Sequence, residues 1–482
     1  MSRMLGPDVY GIFAATLPFQ GVFQILSAGG LPPAIAKFVS QYNALDEKDM
    51  ARQVILTALK YMMISGILFG LFMFFSAGWI ATMFHKPEAT IPFQAVAFIT
   101  PFSVIVGAFR GSFQGVYKME YIVVSRAVEQ IVMIIMAIIL VSIGFYAAGA
   151  VLGTGFGFLA SAIISLILFK KYIWTLFPEP VIKFSFMDEL KILKMLIIFS
   201  MPVAITALSE MTIYDMSTWV IFYFMTSNFN AYYTNASAMA RLPLIISLSV
   251  AAVILPATSE ASSLKDKKLL RNYITQSYRY VILIILPICV GIAIFAQPLL
   301  SRLFGPAYAP GAQALSILII GMTFYTLFMV SSSIMQGIGR PRIPMIILIM
   351  GTVINLGLNI FMVPLYGIVG AAIATTIATF LIMAAVLWQT FRITKVKLPY
   401  LDFAKIGVAS AIMGLPLFLL PQTYLGLYIA VIISPIIFTI AFALIGGFTK
   451  RDVRVLRKYK KKLGPLAGAT EILVKFIERF AK

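Results

Sequence analysis

The feature that most constrains this sequence is a succession of apolar stretches of about 20 residues, with short polar segments between them. A helix of that length crosses the hydrocarbon core of a bilayer. Hydrophobic residues make up 61% of the 482 residues and charged residues only 12%, against about 25% in soluble domains. The stretches are too long for a membrane β-barrel, whose strands alternate over about ten residues. We therefore predict an all-α polytopic membrane protein.

Thirteen spans are predicted from these stretches. Their approximate bounds are 10–30, 54–80, 91–115, 121–143, 146–169, 194–226, 229–255, 274–300, 309–335, 343–363, 366–390, 403–420 and 424–447. Basic residues concentrate in every second loop, whereas the opposite loops hold little beyond Arg3, Lys86 and Arg302. Because Lys and Arg are enriched in cytoplasmic loops, we expect a multi-pass protein of the cell membrane with its C-terminus in the cytoplasm.

Several classes of function are disfavoured by composition. The net charge of +20 does not indicate nucleic acid as a partner, because the Lys and Arg residues lie mostly between the spans. The chain has one cysteine, Cys289, and one histidine, His85, whereas haem, zinc and copper sites need several such ligands. No phosphate loop of the G-x-x-x-x-G-K-[ST] type occurs. We expect no metal site, no cofactor, no catalytic residue and no enzymatic activity.

An internal repeat is visible at four places. The matching segments are FQGVYK (113–118) with MQGIGR (335–340), YAAGAV (146–151) with YGIVGAA (366–372), FHKPEATIPFQA (84–95) with FGPAYAPGAQA (304–314), and LPPA (31–34) with LPAT (255–258). Gln114 maps to Gln336 at an offset of 222 residues, and Gly149 maps to Gly370 at an offset of 221. The matching segments occur in the same order along the chain with nearly equal offsets, which predicts two repeats. If each repeat has six spans, an even number, both have the same orientation in the membrane.

The repeat raises an expectation about the start of the chain. The span 194–226 opens the second repeat, and its counterpart in the first repeat would lie almost wholly before Met1. The polar turn Arg3–Asp8 is then a connector whose preceding helix is missing, through a misassigned start codon or a truncated gene. A chain with thirteen true spans is the alternative.

This repeat gives the predicted domain organisation. Residues 1–170 form an N-terminal lobe of five spans, without its first helix, and 171–193 form a cytoplasmic linker. Residues 194–391 form a C-terminal lobe of six spans, followed by two additional spans in 392–448. Residues 449–482 form a basic, amphipathic cytoplasmic tail, which we expect on the anionic inner leaflet.

Four segments resemble a known family. They are RMLGPDVYGIFA with the following GLPPAIAKFVSQY, FSMPVAITALSEMTIYDMSTWVIFYFM, GPAYAPGAQALSIL, and QGIGRPRIPMIILIMGTVINLGLNIFMVPLYGIVGAAIAT. Together they are similar to polysaccharide exporters and O-antigen-type flippases of lipid-linked oligosaccharides. The superfamily, that of multidrug, oligosaccharidyl-lipid and polysaccharide exporters, also holds the peptidoglycan-precursor flippase. The resemblance implies a V-shaped, all-helical transporter with two parallel-repeat six-helix lobes and two C-terminal helices, whose first helix lines the central cavity.

Ionisable residues inside spans are costly and therefore mark candidate sites. Arg241 lies about 12 residues from the outer end of its span, roughly 18 Å deep at 1.5 Å per residue, and Asp215 lies at nearly the same depth on the preceding span. Two interpretations remain open for Arg241. It forms a buried ion pair with Asp215 or Glu210, or its planar guanidinium binds a phosphate of the substrate.

Four further basic residues lie toward the predicted cytoplasmic ends of spans. They are Lys60, Arg110, Arg126 and Arg279. The first interpretation is that they reach the headgroups, and the second is that Lys60, Arg110 and Arg126 line a positive vestibule. Glu129 is three residues after Arg126, which favours an ion pair between them. We take Arg241, Arg110, Arg126 and Lys60 as candidate substrate-binding residues, and Asp215, Glu210 and Glu129 as ion-pair or coupling candidates.

The expected function is that of a secondary transporter. A polyprenyl-(di)phosphate-linked saccharide would cross from the inner to the outer leaflet by alternating access, for assembly of cell-surface polysaccharide or glycan. Partners would be this substrate and membrane lipids, and the protein would be monomeric. The alternatives are a cation-coupled multidrug exporter, a peptidoglycan lipid-precursor flippase, a membrane glycosyltransferase or polymerase, and a scaffold without transport activity.

Three glycines at intervals of four residues, Gly149, Gly153 and Gly157, predict a flat helix face for close helix packing.

Overall fold

A computed structural model describes residues 1–177, 184–396, 400–449 and 452–453, and these contain helices and no strand. The predicted amphipathic tail lies outside the described residues, apart from its first positions. The helices are α1 (Ser2–Ala28), α2 (Leu31–Ala44), α3 (Lys48–Met83), α4 (Thr90–Gly115), α5 (Met119–Leu140), α6 (Tyr146–Leu168), α7 (Phe186–Phe224), α8 (Ser227–Ala240), α9 (Pro243–Ser263), α10 (Lys267–Ile294), α11 (Ala296–Phe304), α12 (Ala312–Gly337), α13 (Arg342–Thr394), α14 (Tyr400–Leu419) and α15 (Tyr424–Leu444). The predicted all-α membrane fold is confirmed.

Within the described residues, eleven helical segments are long and apolar enough to span a membrane. Two of them, Met119–Leu176 and Arg342–Thr394, each contain two predicted spans. The chain reverses inside both segments. In the second, a Cβ built on Gly351 would lie 2.1 Å from Ile382, so the two halves of α13 pack side by side. Two predicted spans are corrected. The span 229–255 is not one helix, because α8 ends at Ala240 and α9 begins at Pro243, and 274–300 is not one helix, because α10 ends at Ile294 and α11 begins at Ala296.

The α5–α6 hairpin packs through the predicted glycine face. Cβ atoms built on Gly149 and Gly153 would lie 2.9 Å from Phe145 and 2.6 Å from Ala137. A Cβ on Gly157 would lie 2.8 Å from the carbonyl oxygen of Glu129. No larger residue fits between these backbones, so the close-packing prediction is confirmed.

The predicted repeat is visible in the backbone. Among the described residues, the non-glycine residues with positive φ in the first half are Asp46, His85, Tyr117 and Tyr146. The residues at offsets of 219 to 222 in the second half also have positive φ, and they are Lys265, Gly305, Gly339 and Gly367. The last pair shares an unusual conformation. Tyr146 has φ 44° and ψ −128°, and Gly367 has φ 59° and ψ −139°.

The hydrogen bonds around these turns repeat as well. The amide of Tyr117 donates to the carbonyl of Gln114 at 3.1 Å, and the amide of Gly339 donates to that of Gln336 at 3.0 Å. The helix contacts match too, because Gly115 lies against α2 and Gly337 lies against α9. The offset of 222 between Gln114 and Gln336 is therefore a structural correspondence.

The chain divides into two compact units. The first comprises Met1–Thr234 and Asn355–Ile368, and the second comprises Asn235–Ile354 and Val369–Lys482. One buried core of the first unit joins α2, α3, α4 and α7 through residues such as Phe38, Ile55, Phe113 and Leu196. In the second unit, α14 and α15 pack on the end of α10 around Phe295. The predicted lobe boundaries stay a prediction.

Candidate functional site

A buried polar cluster joins α4, α5 and α6 in the first unit. The guanidinium of Arg110 contacts the carboxylate of Glu129 at 2.7 Å. It also donates to the hydroxyls of Ser125 and Ser161, each at 3.2 Å, and Ser165 donates to Ser125 at 2.9 Å. Glu129 is only 8% exposed. A guanidinium with this many partners holds three helices together, which leaves little of it for a ligand.

The predicted Arg126–Glu129 pair is wrong, because the carboxylate of Glu129 is taken by Arg110. Ser125 and Glu129 are four residues apart and share the buried face of α5, whereas Arg126 is exposed. One residue of rotation, about 100° on a helix of 3.6 residues per turn, separates Arg126 from that face. Arg110 does not extend to the headgroups as expected, since it is engaged inside the bundle.

Lys60 has a different partner from the other predicted vestibule residues. Its ammonium contacts the carboxylate of Glu189 at 2.7 Å, which ties α3 to the first turn of α7. Half of the Lys60 side chain is exposed, at 49%. That first turn begins at a capping box formed by Ser185 and Asp188. The contacts of Lys60 and Arg110 are thus separate, and a shared vestibule with Arg126 stays a prediction.

Arg241 lies at the turn between α8 and α9, where hydrogen bonds to the fourth preceding residue give way to bonds to the third. Its amide donates to the carbonyl of Ser237 at 3.0 Å, and its own carbonyl accepts from Leu244 at 3.0 Å. Pro243 then opens α9. The partly buried side chain of Arg241 therefore lies at a junction of two helices.

Asp215 and Glu210 both lie partly buried on α7, in the first unit, whereas Arg241 belongs to the second. The predicted ion pair stays a prediction. A neighbouring feature was not foreseen. Asn355 and Asn359 are fully buried, and Asn355 donates to the carbonyl of Ile213 at 3.3 Å. The spacing of four residues between two asparagines in an apolar run was the available signal.

Arg279 anchors a second ionic cluster, in the second unit. Its guanidinium contacts the Asp452 carboxylate at 2.6 and 2.9 Å and donates to the carbonyl of Gly447 at 3.0 Å. Asp402, in the first turn of α14, lies 3.5 Å away, and the hydroxyl of Tyr280 donates to Asp452 at 2.8 Å. We call these residues the Arg279 latch. It fastens the segment after α15 to α10.

The expectation that Arg279 reaches the headgroups is wrong, because its side chain is only 2% exposed. The counter-charge comes from Asp452, which follows the last span in the chain. Burial raises the pKa of Asp452, but the hydrogen bonds and charge of Arg279 outweigh it and lower the pKa to about 2. Asp452 therefore stays ionised at neutral pH.

An apolar cavity of about 520 Å³ lies between α10, α14 and α15. Its walls include Pro287 of α10, Phe295 directly after α10, Met413 of α14, and Val431 and Phe438 of α15. Ser434 and Thr439 are the only lining residues with hydroxyl groups. Such a surface favours a hydrocarbon chain over a polar solute.

Residues 1–262 match the family described as Polysaccharide biosynthesis protein, and residues 202–361 match MatE. The chain belongs to the polysaccharide biosynthesis protein family. The predicted membership of the exporter superfamily is thereby confirmed, and the protein is a multi-pass membrane transporter of that superfamily.

Three relatives of the chain are a membrane protein, a flippase and a putative transporter. The membrane protein MJ1375 of Methanocaldococcus jannaschii is 28% identical over 403 residues, covering 81% of this chain and 92% of that protein. The lipid II flippase MurJ of Bacillus subtilis is 24% identical over 89% of this chain and 85% of its own length. A putative O-antigen transporter of Shigella flexneri is 22% identical over 82% and 93%.

The fold has a match among solved structures. Lipid II flippase MurJ in an inward closed conformation superposes with a TM-score of 0.74 at 16% identity, covering 91% of this chain and 93% of that one. At this identity the likeness concerns the fold alone.

Proposed function

We propose that this protein carries a polyprenyl-(di)phosphate-linked saccharide from the inner to the outer leaflet by alternating access. The observation that carries the proposal is the helix break at Arg241, in the middle of an apolar segment of a polysaccharide biosynthesis family member. The guanidinium of Arg241 is always charged and suits a phosphate group of the substrate, because Arg donates two parallel hydrogen bonds to phosphate oxygens.

The apolar cavity of the second unit supports the same proposal. A lipid-linked saccharide has a long hydrocarbon chain that must stay out of water while the polar head crosses. The cavity between α10, α14 and α15 offers about 520 Å³ of apolar space to part of that chain. A multidrug exporter for compact cations has no equivalent need for it.

Transport is necessary because the headgroup does not cross hydrocarbon unaided. Each hydroxyl that loses water without a replacement hydrogen bond costs roughly 2–7 kcal/mol, and a charge costs far more. Moving negative charge out of a cell that is negative inside is favourable by about 2.3 kcal/mol per charge per 100 mV. We further propose that the protein works as a monomer, with its C-terminus in the cytoplasm.

Charge replacement at Arg241 tests the proposal. In a host lacking the endogenous flippase, Arg241→Lys should lose part of the complementing activity, because Lys lacks the planar fork. Arg241→Glu should lose all of it, with lipid-linked saccharide accumulating on the inner leaflet. The matched control is Arg302→Glu, because Arg302 is exposed on α11, where it donates to the hydroxyl of Tyr428 at 2.9 Å and lies 5.9 Å from the ring of Tyr424. Full activity of Arg241→Glu would refute the phosphate role.

A second candidate is transport of the peptidoglycan lipid precursor, which the likeness to MurJ in sequence and fold favours. The two candidates differ in which lipid accumulates when the gene is deleted. Build-up of lipid II alone would select this candidate, and build-up of another lipid-linked glycan would select the first.

A further inference from the structure

In the first unit, α7 packs closely on α2. A Cβ built on Gly30, the residue before α2, would lie 2.6 Å from the carbonyl oxygen of Ser200 and 3.0 Å from the Cβ of Ala204. The rings of Phe38 and Phe199 meet edge to face, with their centroids 5.8 Å apart. Close approach at small residues is typical of helix pairs in membranes.

Part of α2 and α3 forms one buried core with α7, to which α7 contributes Ile192 and Leu196. We call this part the α7 packing surface. Its members are Leu31, Ala34, Ile35 and Phe38 of α2, and Val54 and Ala58 of α3. All six are buried, so the surface is a docking site for a membrane-spanning helix.

The second unit repeats α2 and α3 as α9 and α10. The ends of α2 and α9, and the starts of α3 and α10, are each 219 residues apart. A Cβ built on Gly115 of α4 would collide with Val39, and one built on Gly337 of α12 would collide with Thr258, again 219 residues farther along. The sequence match at LPPA, with its offset of 224, is therefore out of register by five residues.

A cavity of about 500 Å³ lies between α9 and α10. We call it the α9–α10 groove. At the offset of 219, the α7 packing surface corresponds to Val250, Val253, Ile254 and Ala257 of α9, and to Tyr273 and Ser277 of α10. All six of these residues line the groove. The groove is therefore the second copy of the surface that holds α7 in the first unit.

The two copies differ in exposure. Ala34 is fully buried, whereas its counterpart Val253 is 69% exposed. Ser249, which corresponds to Gly30 and also lines the groove, is exposed as well. These side chains lack the dispersion contacts that α7 gives to the same positions in the first unit. Because the two surfaces share one backbone register, a helix like α7 would supply those contacts.

The order of the chain indicates α7 itself as the occupant. In the predicted repeat, the helix that opens the second half, before α8 and α9, is the span 194–226, which is α7. A turn of two residues tethers it to α8, because α7 ends at Phe224 and α8 begins at Ser227. The small residues of its packing face, Ser200 and Ala204, suit a surface that repeats α2 and α3.

We propose that the α9–α10 groove is a second packing surface for α7, and that α7 exchanges between this groove and the α7 packing surface of the first unit. The exchange is a property of the helices and needs no substrate, so it is independent of the proposed function. A membrane helix exchanges partners at low cost, because lipid tails are as apolar as the side chains they replace.

One ion pair favours the first surface. Lys60 of α3 contacts Glu189 in the first turn of α7 at 2.7 Å. The residue at the offset of 219 from Lys60 is Arg279, whose guanidinium is held by Asp452 at 2.6 Å in the Arg279 latch. In the groove, α7 therefore loses the partner of Glu189. Removing Lys60 should make the two surfaces more equal.

Cross-linking on the full chain in membranes tests the exchange, in a Cys289→Ser background that has no other cysteine. Phe199→Cys with Phe38→Cys reports α7 on the first surface. Phe199→Cys with Ala257→Cys reports α7 in the groove, because Ala257 is the counterpart of Phe38. The control pair is Phe199→Cys with Leu248→Cys, because Leu248 is 58% exposed on α9 but does not line the groove. Within one chain, a short bismaleimide should join the first two pairs and not the control pair.

Three variants shift the exchange in stated directions. Lys60→Met should raise cross-linking of the groove pair about threefold. Val253→Trp fills the groove and should lower it, whereas Ala34→Trp, at the same position of the first copy, should raise it. A thermal melt shows which variants fold. If Ala34→Trp does not fold, Lys60→Met still gives the test, since half of the Lys60 side chain is exposed.

Three results would overturn the proposal. The first is cross-linking of the groove pair no faster than that of the control pair. The second is equal groove cross-linking in Lys60→Met and the wild type. The third is a groove product with the mass of two chains only, which would assign the groove to a second copy. Because no step of the assay needs transport, a failure here leaves the proposed function untouched.

Discussion

Removing the cation of the Arg279 latch should release the segment that follows α15. Arg279→Met keeps the length and apolar stem of the side chain but leaves two carboxylates, Asp452 and Asp402, without their counter-charge. Asp452 is only 6% exposed, and it loses hydrogen bonds of 2.6 and 2.9 Å. Breaking a buried pair by removing one partner costs about 3–5 kcal/mol. Local opening should therefore become more than about 100-fold more frequent.

Hydrogen exchange at Thr449 and Asp452 measures this opening. Their amides donate within the latch segment, the first to the Asp452 carboxylate at 2.8 Å and the second to the Thr449 carbonyl at 2.9 Å. The double variant Arg279→Met with Asp452→Leu should recover most of the protection, because replacing both members of a buried pair is often neutral. Arg302→Met is the control, with an expected change within about 0.5 kcal/mol. Exchange in Arg279→Met within threefold of wild type would refute the reasoning.

Three more outcomes are expected. Exchange protection of the same segment, corrected for the intrinsic pH dependence, should be constant from pH 5 to 8 and fall between about pH 4 and 2. The reason is that the Asp452 carboxylate stabilises the fold only while it is ionised, and its pKa is lowered to about 2 from an ordinary value of about 3.9. Asp452→Asn should remove this pH dependence. Arg110→Met should lower the free energy of unfolding by about 3–5 kcal/mol, and addition of Glu129→Leu should restore most of it in a thermal melt. Gly153→Ala should lower the free energy of unfolding by about 1–3 kcal/mol, because the new Cβ overpacks against Ala137. Gly407→Ala should not lower it, because no atom lies within 4 Å of the new Cβ. Equal melting temperatures for the two glycine variants would contradict the packing account.

Most of the helices were predictable from the sequence, because a membrane-spanning helix needs an apolar segment of about 20 residues, and few other structures need one so long. The repeat was detected through weak matches such as Gln114 with Gln336, and it holds because those residues lie at helix ends with the same hydrogen bonds. The break at Arg241 was missed. Pro243 lies inside the predicted span 229–255, but proline is tolerated inside membrane helices as well as at their starts, so its presence does not predict where a helix ends.

The ionic partners were far less predictable than the helices. The i,i+3 spacing suggested Arg126 for Glu129, yet the true partner lies on α4, because a pairing across helices depends on which faces meet. Arg279 and Asp452 are joined by packing of segments far apart in the chain. Sequence spacing ranks local pairs and carries no information on such distant ones.

The matched turns of the two halves have a consequence for the history of the chain. At the last turn the first copy holds Tyr146 where the second holds Gly367, in nearly the same conformation. A residue with a Cβ bears roughly 1–3 kcal/mol of strain in such a region, and glycine bears none. The two halves thus keep the same backbone torsion angles at a position where their residue types differ, so the repeat is better conserved in backbone conformation than in residue identity.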